Sequence, residues 1–430
     1  MRISTHHLPG LVLTGHEFSV PLDYAEPGGA QIKVFAREVV AAAQVQKALP
    51  WLIYFQGGPG SGAPRPLEKS GWIKRAAQEY RLLLLDQRGT GLSTPVTTQT
   101  LASLASPQAQ AEYLRHFRAD TIVRDAELIR TTLLGQNEPW SGLGQSYGGF
   151  CLTHYLSAAP QGLREVIITG GLPPLEHPAE SVYRATYRQV RAKNQHYYAR
   201  YPDDIARVQE IVAYLRQHEV MLPRGGRLTA RRFQQLGLDL GASDGFERIH
   251  YLLEEAFVTG PSGRAMSQRF LGQIEQIQTF ESNPIFAILH EAIYCQGAAS
   301  KWAAERVRSE YPEFDLDPSR PPYFTGEMIY PWMFDDYPQL QPLKPAAELL
   351  ANHAAWPRLY ETATLRANRV PVVAAVYYDD MYVDRELSLE TASNIAGIKL
   401  WITNEYQHNA LRADGERLLD RLLGLLRGEV

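Results

Sequence analysis

The sequence predicts an α/β fold, in which a mostly parallel sheet is interrupted by a helical insertion. Short apolar runs are typical of strands buried on both faces of a parallel sheet, and helical segments separate them along the chain. These runs lie at residues 51–55, 81–85, 165–169, 370–378 and 398–403. The alternation stops after residue 172, and helical periodicity without a convincing buried strand follows to about residue 345.

The first strands and the helices follow from local patterns. Two strand-like runs, 17–22 and 31–40, flank a Pro-Gly-Gly turn, which predicts an antiparallel opening pair. Apolar residues at helical spacing predict the helices. These are expected at 66–79, 119–134, from 149 onward, around 183–194 and 205–215, and from about Asp414 to Leu425.

Composition excludes several classes of protein. The chain has 430 residues, of which 45% are hydrophobic, and a net charge of −4, so it lacks the basic footprint of a nucleic-acid-binding protein. No apolar run approaches the ~20 residues of a membrane-spanning helix, and the first residues lack the apolar core of a secretory signal. Cys151 and Cys295 are the only cysteines, which suits a reducing cytosol, and we expect a cytoplasmic location.

The most informative motif is Gly144–Gly148, a G-x-S-x-G pattern between a predicted strand and a predicted helix. On such a turn Ser146 is pushed out of the sheet, beside the free N–H groups at the start of the helix. The motif is common by chance, and a Gly/Ser-rich loop is the alternative. The motif therefore makes Ser146 a candidate nucleophile that needs partners elsewhere in the chain.

A serine nucleophile needs a histidine base and an orienting carboxylate, which follow the serine along the chain in this architecture. Of twelve histidines, His408 is the one that follows the last predicted strand, at the edge where active sites collect. After the preceding strand, Asp379, Asp380 and Asp384 all compete for the role of acid. These acids have no matching histidine cluster, so we expect no metal site.

Gly57-Gly58-Pro59-Gly60 also follows a predicted strand. The loop lacks the G-K-[ST] of a phosphate-binding loop, which argues against nucleotide binding. A backbone N–H of this loop can instead join the N–H of Tyr147 in stabilising an oxyanion, with a plain turn as the alternative.

Three motifs together, Gly57–Gly60, Asp86–Ser93 and Gly144–Gly149, resemble the proline iminopeptidases, serine peptidases of the α/β-hydrolase fold. The resemblance covers nearly the whole chain. The length of the chain and the block 377–383 are similar to those of the larger-subunit branch of that family. It implies an eight-stranded, mostly parallel sheet with an inserted helical cap. The implied division is 1–172 for the first part of the core, 173–345 for the cap and 346–430 for the second part of the core.

The resemblance also implies roles for individual residues. It places the catalytic acid on Asp380, the histidine on His408 and the oxyanion hole on the N–H groups of Gly58 and Tyr147. The family binds the substrate's free amino group with cap carboxylates, which points to Glu291 in Leu289–Cys295 and to Glu327 in Phe324–Trp332. Smaller members carry His and Trp where this chain has Gln56 and Tyr147, so side-chain contacts of that branch do not transfer.

We therefore expect a serine aminopeptidase that releases an N-terminal residue, preferentially proline, from peptides with a free N-terminus. It needs no cofactor or metal, and its partners are peptide substrates rather than nucleic acid or membrane. The oligomeric state stays open, a homo-oligomer included. An esterase or amidase with the same triad is the nearest rival, and a non-catalytic relative that only binds ligands is a second.

Overall fold

A computed structural model describes residues 1–261 and 263–430, and its centre is a nine-stranded sheet. Two further strands, β8 and β9, pair as a separate antiparallel hairpin. The strands are β1 (Arg2–Leu8), β2 (Leu11–Pro21), β3 (Gln31–Ala41), β4 (Trp51–Phe55), β5 (Arg81–Asp86), β6 (Trp140–Gln145), β7 (Leu163–Thr169), β8 (Phe257–Gly260), β9 (Gly263–Met266), β10 (Val372–Tyr377) and β11 (Lys399–Thr403).

The strand order in the large sheet is β1-β2-β3-β5-β4-β6-β7-β10-β11. The pairs from β5 to β11 are parallel, and those from β1 to β5 are antiparallel. The carboxyl ends of the six parallel strands therefore meet at one edge, where ligands collect in open α/β sheets.

The sheet has one strand more than the eight expected. The additional strand, β1, is exposed along nearly its whole length and pairs antiparallel with β2, with Thr5 opposite Thr14. Its sequence, RISTHHL, shows no alternation of apolar and polar residues because neither of its faces is buried in the core. Backbone pairing with β2 holds it in place, and apolar patterning does not report such pairing.

The helices match the predicted positions with changes in length. The helix expected at 66–79 is shortened to six residues, whereas 119–134 is helical over its whole length. The α-helices are α1 (Gly71–Ala76), α2 (Thr98–Leu101), α3 (Pro107–Leu114), α4 (Ala119–Leu134), α5 (Tyr147–Ala158), α6 (Ala179–Arg200), α7 (Asp204–Gln217), α8 (Ala230–Gln234), α9 (Gly245–Glu254), α10 (Gln268–Ile277), α11 (Pro284–Leu289), α12 (Ala303–Arg308), α13 (Met333–Asp336), α14 (Lys344–Ala351), α15 (Thr362–Arg366), α16 (Arg385–Ser393), α17 (Ala410–Ala413) and α18 (Gly415–Arg427).

The core lies on both faces of the sheet, as the unbroken apolar strands require. Leu52 of β4 packs in the cluster that contains Leu422 of α18, whereas the next residue, Ile53, packs in the cluster that contains Ile129 of α4. Successive side chains of a strand point to opposite faces, so one short run serves both layers. The strand ends that carry the site are thereby held rigidly from two sides.

The helical insertion follows β7. Its helices start with α6, and the β8–β9 hairpin within it is largely exposed. Helix α14 runs across the boundary expected between 345 and 346, so the division of the chain into three segments stays a prediction. In the described part of the chain, no helix is long and apolar enough to cross a membrane.

Candidate active site

Ser146 occupies the turn between β6 and α5. Its φ of 54° and ψ of −123° describe a backbone conformation that residues other than glycine rarely adopt. Two hydrogen bonds hold the turn: the N–H of Ser146 donates to the carbonyl of Thr169 at 2.9 Å, and the N–H of Gly149 donates to the carbonyl of Ser146 at 2.7 Å. Such strain persists only where the surroundings enforce it, as at an active site.

The glycines of G-x-S-x-G are required by close backbone approach. A Cβ on Gly144 would lie 2.4 Å from the carbonyl oxygen of Gly148, and a Cβ on Gly148 would lie 2.0 Å from the carbonyl oxygen of Phe55. Any larger residue would push helix α5 away from the sheet. The motif is thus the sequence signature of a helix that starts directly on the strand end.

Asp380 and His408 come together although 28 residues separate them. The Nδ1 of His408 lies 2.7 Å from Oδ2 of Asp380. The other carboxylate oxygen of Asp380 accepts from the backbone N–H groups of Tyr382 at 2.9 Å and Val383 at 3.1 Å, and the side chain is 1% exposed. Both oxygens are therefore fixed, one by the loop and one by the imidazole.

The two competing acids have other surroundings. Asp379 is exposed. Asp384 begins helix α16, where its Oδ1 accepts from the N–H groups of Glu386 at 3.0 Å and Leu387 at 3.2 Å. Asp380 is the one of the three that contacts His408.

The environment favours a protonated His408. Burial lowers the pKa of the imidazole, but the charge and hydrogen bond of Asp380 outweigh it and raise the pKa above its ordinary value, with the charge of Glu327 adding to the effect. A histidine that gains proton affinity in this way is a stronger general base toward a neighbouring hydroxyl.

Ser146 and His408 line one cavity of about 700 Å³ at the carboxyl edge of the sheet. The cavity passes between the core and the cap, and Glu327 of the cap also lines it. Its aromatic walls are Tyr54, Trp72, Phe286 and Tyr382. A volume of this size holds a small peptide segment rather than a single small group.

The glycine-rich loop lies directly against Ser146, the candidate nucleophile. A Cβ on Gly57 would be 3.0 Å from Cβ of Ser146, and Gly58, with a φ of 136°, lines the same cavity. Tyr147 is the first residue of α5, so its N–H has no acceptor within the helix. Gly58 thus shares the cavity with Ser146, and Tyr147 follows Ser146 directly in the chain, while their role as oxyanion donors stays a prediction.

Glu327 faces the cavity with no hydrogen-bond partner among the described residues, and its side chain is 15% exposed. Burial raises the pKa of its carboxyl to about 8; His408 opposes this rise and Asp380 adds to it. The nearest basic group, Nε2 of His290, is 3.8 Å away. Burial lowers the pKa of His290 to about 3, so this ring brings no charge to Glu327.

The structure gives Glu291 a different environment from the one predicted. Its carboxylate oxygens accept from the backbone N–H groups of Ala303 at 3.0 Å and Ala304 at 2.9 Å, at the start of α12. The side chain is 5% exposed and is not part of the cavity wall around Ser146. The structure therefore does not bring Glu291 to the cavity, and its amine-binding role stays a prediction.

Sequence reasoning missed Tyr382, which lies beside His408. Its ring centroid lies 4.7 Å from that of His408, and it forms part of the cavity wall. The signal was present, because Tyr382 follows Asp380 by two residues in the block that suggested the acid. Lys193, which contacts Gln407 beside the histidine, carried no comparable signal.

Asp86 and Arg88, conspicuous in the second motif, organise loops. The Oδ1 of Asp86 accepts from the N–H of Ala63 at 2.9 Å, and Oδ2 accepts from the N–H of Leu92 at 2.8 Å. Arg88 is buried in an ion pair with Asp125. In residues 1–261 and 263–430, no three His, Cys, Asp or Glu side chains form a group that could hold a metal ion.

The parallel sheet, the strained serine turn and the Asp380–His408 pair are those of an α/β hydrolase with a serine-centred site. A family model described as alpha/beta hydrolase fold matches residues 50–256. A proline iminopeptidase of Aeromonas sobria is 52% identical over 421 residues, which cover 98% of each chain. The proline iminopeptidase aneH of Aspergillus aculeatus is 37% identical over 98% of this chain and 95% of its own. The chain belongs to the proline iminopeptidase family of α/β hydrolases.

A shorter match involves a tripeptidyl aminopeptidase of Streptomyces lividans. It is 26% identical over 200 residues, which are 39% of this chain and 37% of that protein. The full-length matches therefore decide the family.

Proposed function

We propose that the protein is a proline iminopeptidase, a serine aminopeptidase that releases an N-terminal residue, preferentially proline, from peptides. Two relatives that carry this name match it over at least 95% of both chains. The single observation that carries the proposal in the structure is Glu327, a largely buried carboxylate that faces the same cavity as Ser146 and His408. A buried acid without a partner is poised to receive a cation.

In the proposed reaction, Ser146 Oγ attacks the carbonyl carbon of the first residue while His408 accepts the hydroxyl proton. Asp380 holds the imidazole through Nδ1, and the N–H groups of Gly58 and Tyr147 stabilise the oxyanion. Collapse breaks the peptide bond, and His408 returns the proton to the leaving amine. Water then attacks the acyl-enzyme with the same base, which releases the free amino acid and restores Ser146.

Glu327 selects the chain end in this proposal. An N-terminal proline carries a secondary ammonium with two N–H donors, and an ionised carboxylate under the cap accepts one of them in a charge-assisted hydrogen bond. An internal amide offers no charge to offset the burial of that carboxylate. Phe286 and Tyr382, which line the cavity with Glu327, provide an apolar surface for the ring.

We also propose a cytoplasmic location for the enzyme. Cys151 and Cys295 are both buried and unpaired, which suits a reducing cytosol. A homo-oligomer stays a prediction.

The decisive experiment compares a prolyl amide, its N-acetylated form and a neutral nitrophenyl ester. We expect the prolyl amide to be cleaved and the N-acetylated compound to be resistant. A panel of other aminoacyl amides then measures the preference for proline. Rapid cleavage of the N-acetylated amide would contradict the aminopeptidase proposal and favour the amidase.

Glu327→Gln tests directly whether Glu327 binds the substrate ammonium. The substitution keeps the size and removes the charge, so kcat/KM for the prolyl amide should fall about tenfold to a hundredfold, the equivalent of about 1.5–3 kcal/mol. Hydrolysis of the neutral ester should change little. Glu219→Gln, which removes an exposed carboxylate from the same insertion, is the matched control and should leave both activities unchanged.

A further inference from the structure

The cap forms hydrogen bonds to the loop that carries His408 on both sides of that residue. On one side, Nζ of Lys193 in α6 donates to Oε1 of Gln407 at 2.5 Å. On the other side, the N–H of Ser243 donates to Oδ1 of Asn409 at 3.0 Å, and Nδ2 of Asn409 donates to Oγ of Ser243 at 3.2 Å. The residues before and after the histidine are thus both fastened to the insertion.

Tyr382 adds a third link between the cap and the histidine. Its ring packs beside the imidazole of His408, and its hydroxyl donates to the carbonyl of Leu238 in the cap. Gly241 of the same cap segment approaches so closely that a Cβ there would lie 2.1 Å from the ring. The ring that flanks the histidine is therefore clamped by cap backbone.

The core holds the same loop by fewer side-chain contacts. The Nε2 of Gln145 donates to the carbonyl of His408 at 3.1 Å, and Asp380 accepts from the imidazole. The carbonyl of Asn409 also accepts from the N–H groups of Arg412 and Ala413, both at 2.9 Å, so the core fixes the backbone after the histidine. The side chain of Gln407, before the histidine, is held by the cap instead. Catalysis is sensitive to the position of the imidazole, because a misplacement of about 1 Å can cost about a hundredfold in rate.

Lys193 is the charged member of these links. Its side chain is 5% exposed, and Gln407 is the one hydrogen-bond partner of its ammonium among the described residues. A buried ammonium costs free energy unless opposite charges lie nearby. Burial lowers the pKa of Lys193, while the carboxylates of Asp379 and Asp380 pull in the opposite direction. Its charge therefore acts on the same acid that orients the histidine.

We propose that Lys193 is a positioning residue, which anchors the loop 407–409 to the cap and thereby holds His408 in register with Ser146. The inference rests on the proposed triad and extends it: the cap helps to assemble the chemistry as well as to recognise the substrate. Loss of the anchor should lower kcat for every substrate. A residue that only shaped the peptide site would change KM for the prolyl amide and spare the small ester.

The test uses the full chain with three substitutions. Lys193→Met removes the charge and the hydrogen bond at similar length, and Gln407→Ala removes the acceptor from the loop and leaves the ammonium in place. Arg188→Met removes an exposed positive charge from the same helix and is the matched control. We expect Lys193→Met and Gln407→Ala each to lower kcat about tenfold or more on both the prolyl amide and the nitrophenyl ester, with KM little changed. Arg188→Met should behave as wild type.

The pH profile separates positioning from simple loss of structure. The charges of Asp380 and Glu327 raise the pKa of His408, and the charges of Asp379 and Asp380 raise that of Lys193 against the effect of burial. Removing a positive charge here favours protonated His408, so Lys193→Met should shift the acidic side of the kcat profile for the ester to higher pH. Gln407→Ala keeps the charge and should shift it less.

The outcomes are distinguishable. If the wild type cleaves neither substrate, the proposed function fails. If the wild type is active and Gln407→Ala, which alters only a loop side chain, keeps its kcat, the inference about Lys193 is overturned even if Lys193→Met does not fold. An effect confined to KM for the prolyl amide, or an equal pH shift in Arg188→Met, would overturn it as well.

Discussion

The two sides of the cavity are built differently. On the core side, Ser146, Asp380 and His408 sit at strand ends, and each is held by hydrogen bonds to neighbouring backbone or to one another. On the cap side, Glu327 projects into the same space with no hydrogen-bond partner in the described part of the chain. The groups proposed for the chemistry are therefore held in place before the substrate binds, whereas recognition depends on a carboxylate whose partner arrives with the substrate.

Loss of the candidate nucleophile on the core side should have the greatest consequence for activity. Ser146→Ala should lower turnover by about 10⁴ to 10⁶ on the prolyl amide and on the neutral ester alike, because both need the nucleophile. Thermal unfolding and circular dichroism should match the wild type, because the side chain lines a cavity instead of packing in the core. Turnover above a tenth of the wild-type rate would show that Ser146 is not the nucleophile.

The next largest effect separates two adjacent acids. Asp380→Asn should lower turnover by about 10⁴ for both substrates, because an amide favours the wrong tautomer of the histidine. Asp379→Asn, its exposed neighbour, is the built-in control and should change turnover far less. The opposite ranking in steady-state kinetics would assign the acid to Asp379.

The candidate residues on the core side could be predicted from the sequence because each follows a strand. G-x-S-x-G marks a turn that only glycine can form at Gly144 and Gly148, and the apolar runs β10 and β11 place Asp380 and His408 at the same edge. The strand pattern alone left Asp379, Asp380 and Asp384 open, because the choice depends on which side chain turns toward the imidazole, and the family resemblance then pointed to Asp380.

The cavity-lining residues of the cap were harder to predict from the sequence, for a physical reason. Short helices and irregular segments make up most of it, so no strand register or repeated pattern connects a glutamate to the cavity. The sequence does not distinguish Glu291 from Glu327. The carboxylate of Glu291 accepts from backbone N–H groups at the start of α12, whereas that of Glu327 lines the cavity. Likewise, Lys193 and Gln407 are separated by 214 residues, and nothing local connects them.

The pH dependence should differ between the two substrate classes. Hydrolysis of the ester needs only neutral His408, so its kcat/KM should fall tenfold per pH unit on the acidic side. The prolyl amide also needs ionised Glu327, whose pKa burial raises to about 8. Because an acid is charged above its pKa, kcat/KM for the amide should keep rising toward pH 8 and should fall about a hundredfold per unit at lower pH, where both groups are protonated.

Glu327→Gln makes this prediction specific. The variant should lose the second proton dependence for the prolyl amide, so that its acidic slope matches that of the ester. Profiles of kcat/KM for both substrates, measured between pH 5 and 9 in buffers of constant ionic strength, provide the check. Parallel wild-type profiles for amide and ester would remove Glu327 from amine recognition.

Substitution of Glu291 should change activity least of all. Two consecutive residues before α12, Lys301 and Trp302, have φ values of 50° and 56°, and the carboxylate of Glu291 receives the first two N–H groups after that turn. Glu291→Gln replaces one acceptor oxygen by an NH₂ group, which faces a backbone N–H and leaves that buried donor unpaired. An unsatisfied buried donor costs about 1–3 kcal/mol, so the free energy of unfolding should fall by about that amount.

Activity should respond little, because α12 keeps its remaining contacts and the cavity wall is untouched. We expect kcat/KM to change by less than about threefold, and equally for the prolyl amide and the ester, while chemical denaturation reports the lost stability. A loss of kcat/KM for the prolyl amide alone, with unchanged stability, would contradict this prediction. It would mean that the ammonium reaches Glu291 past the backbone donors of Ala303 and Ala304, and that the cap recognises the chain end with two carboxylates instead of one.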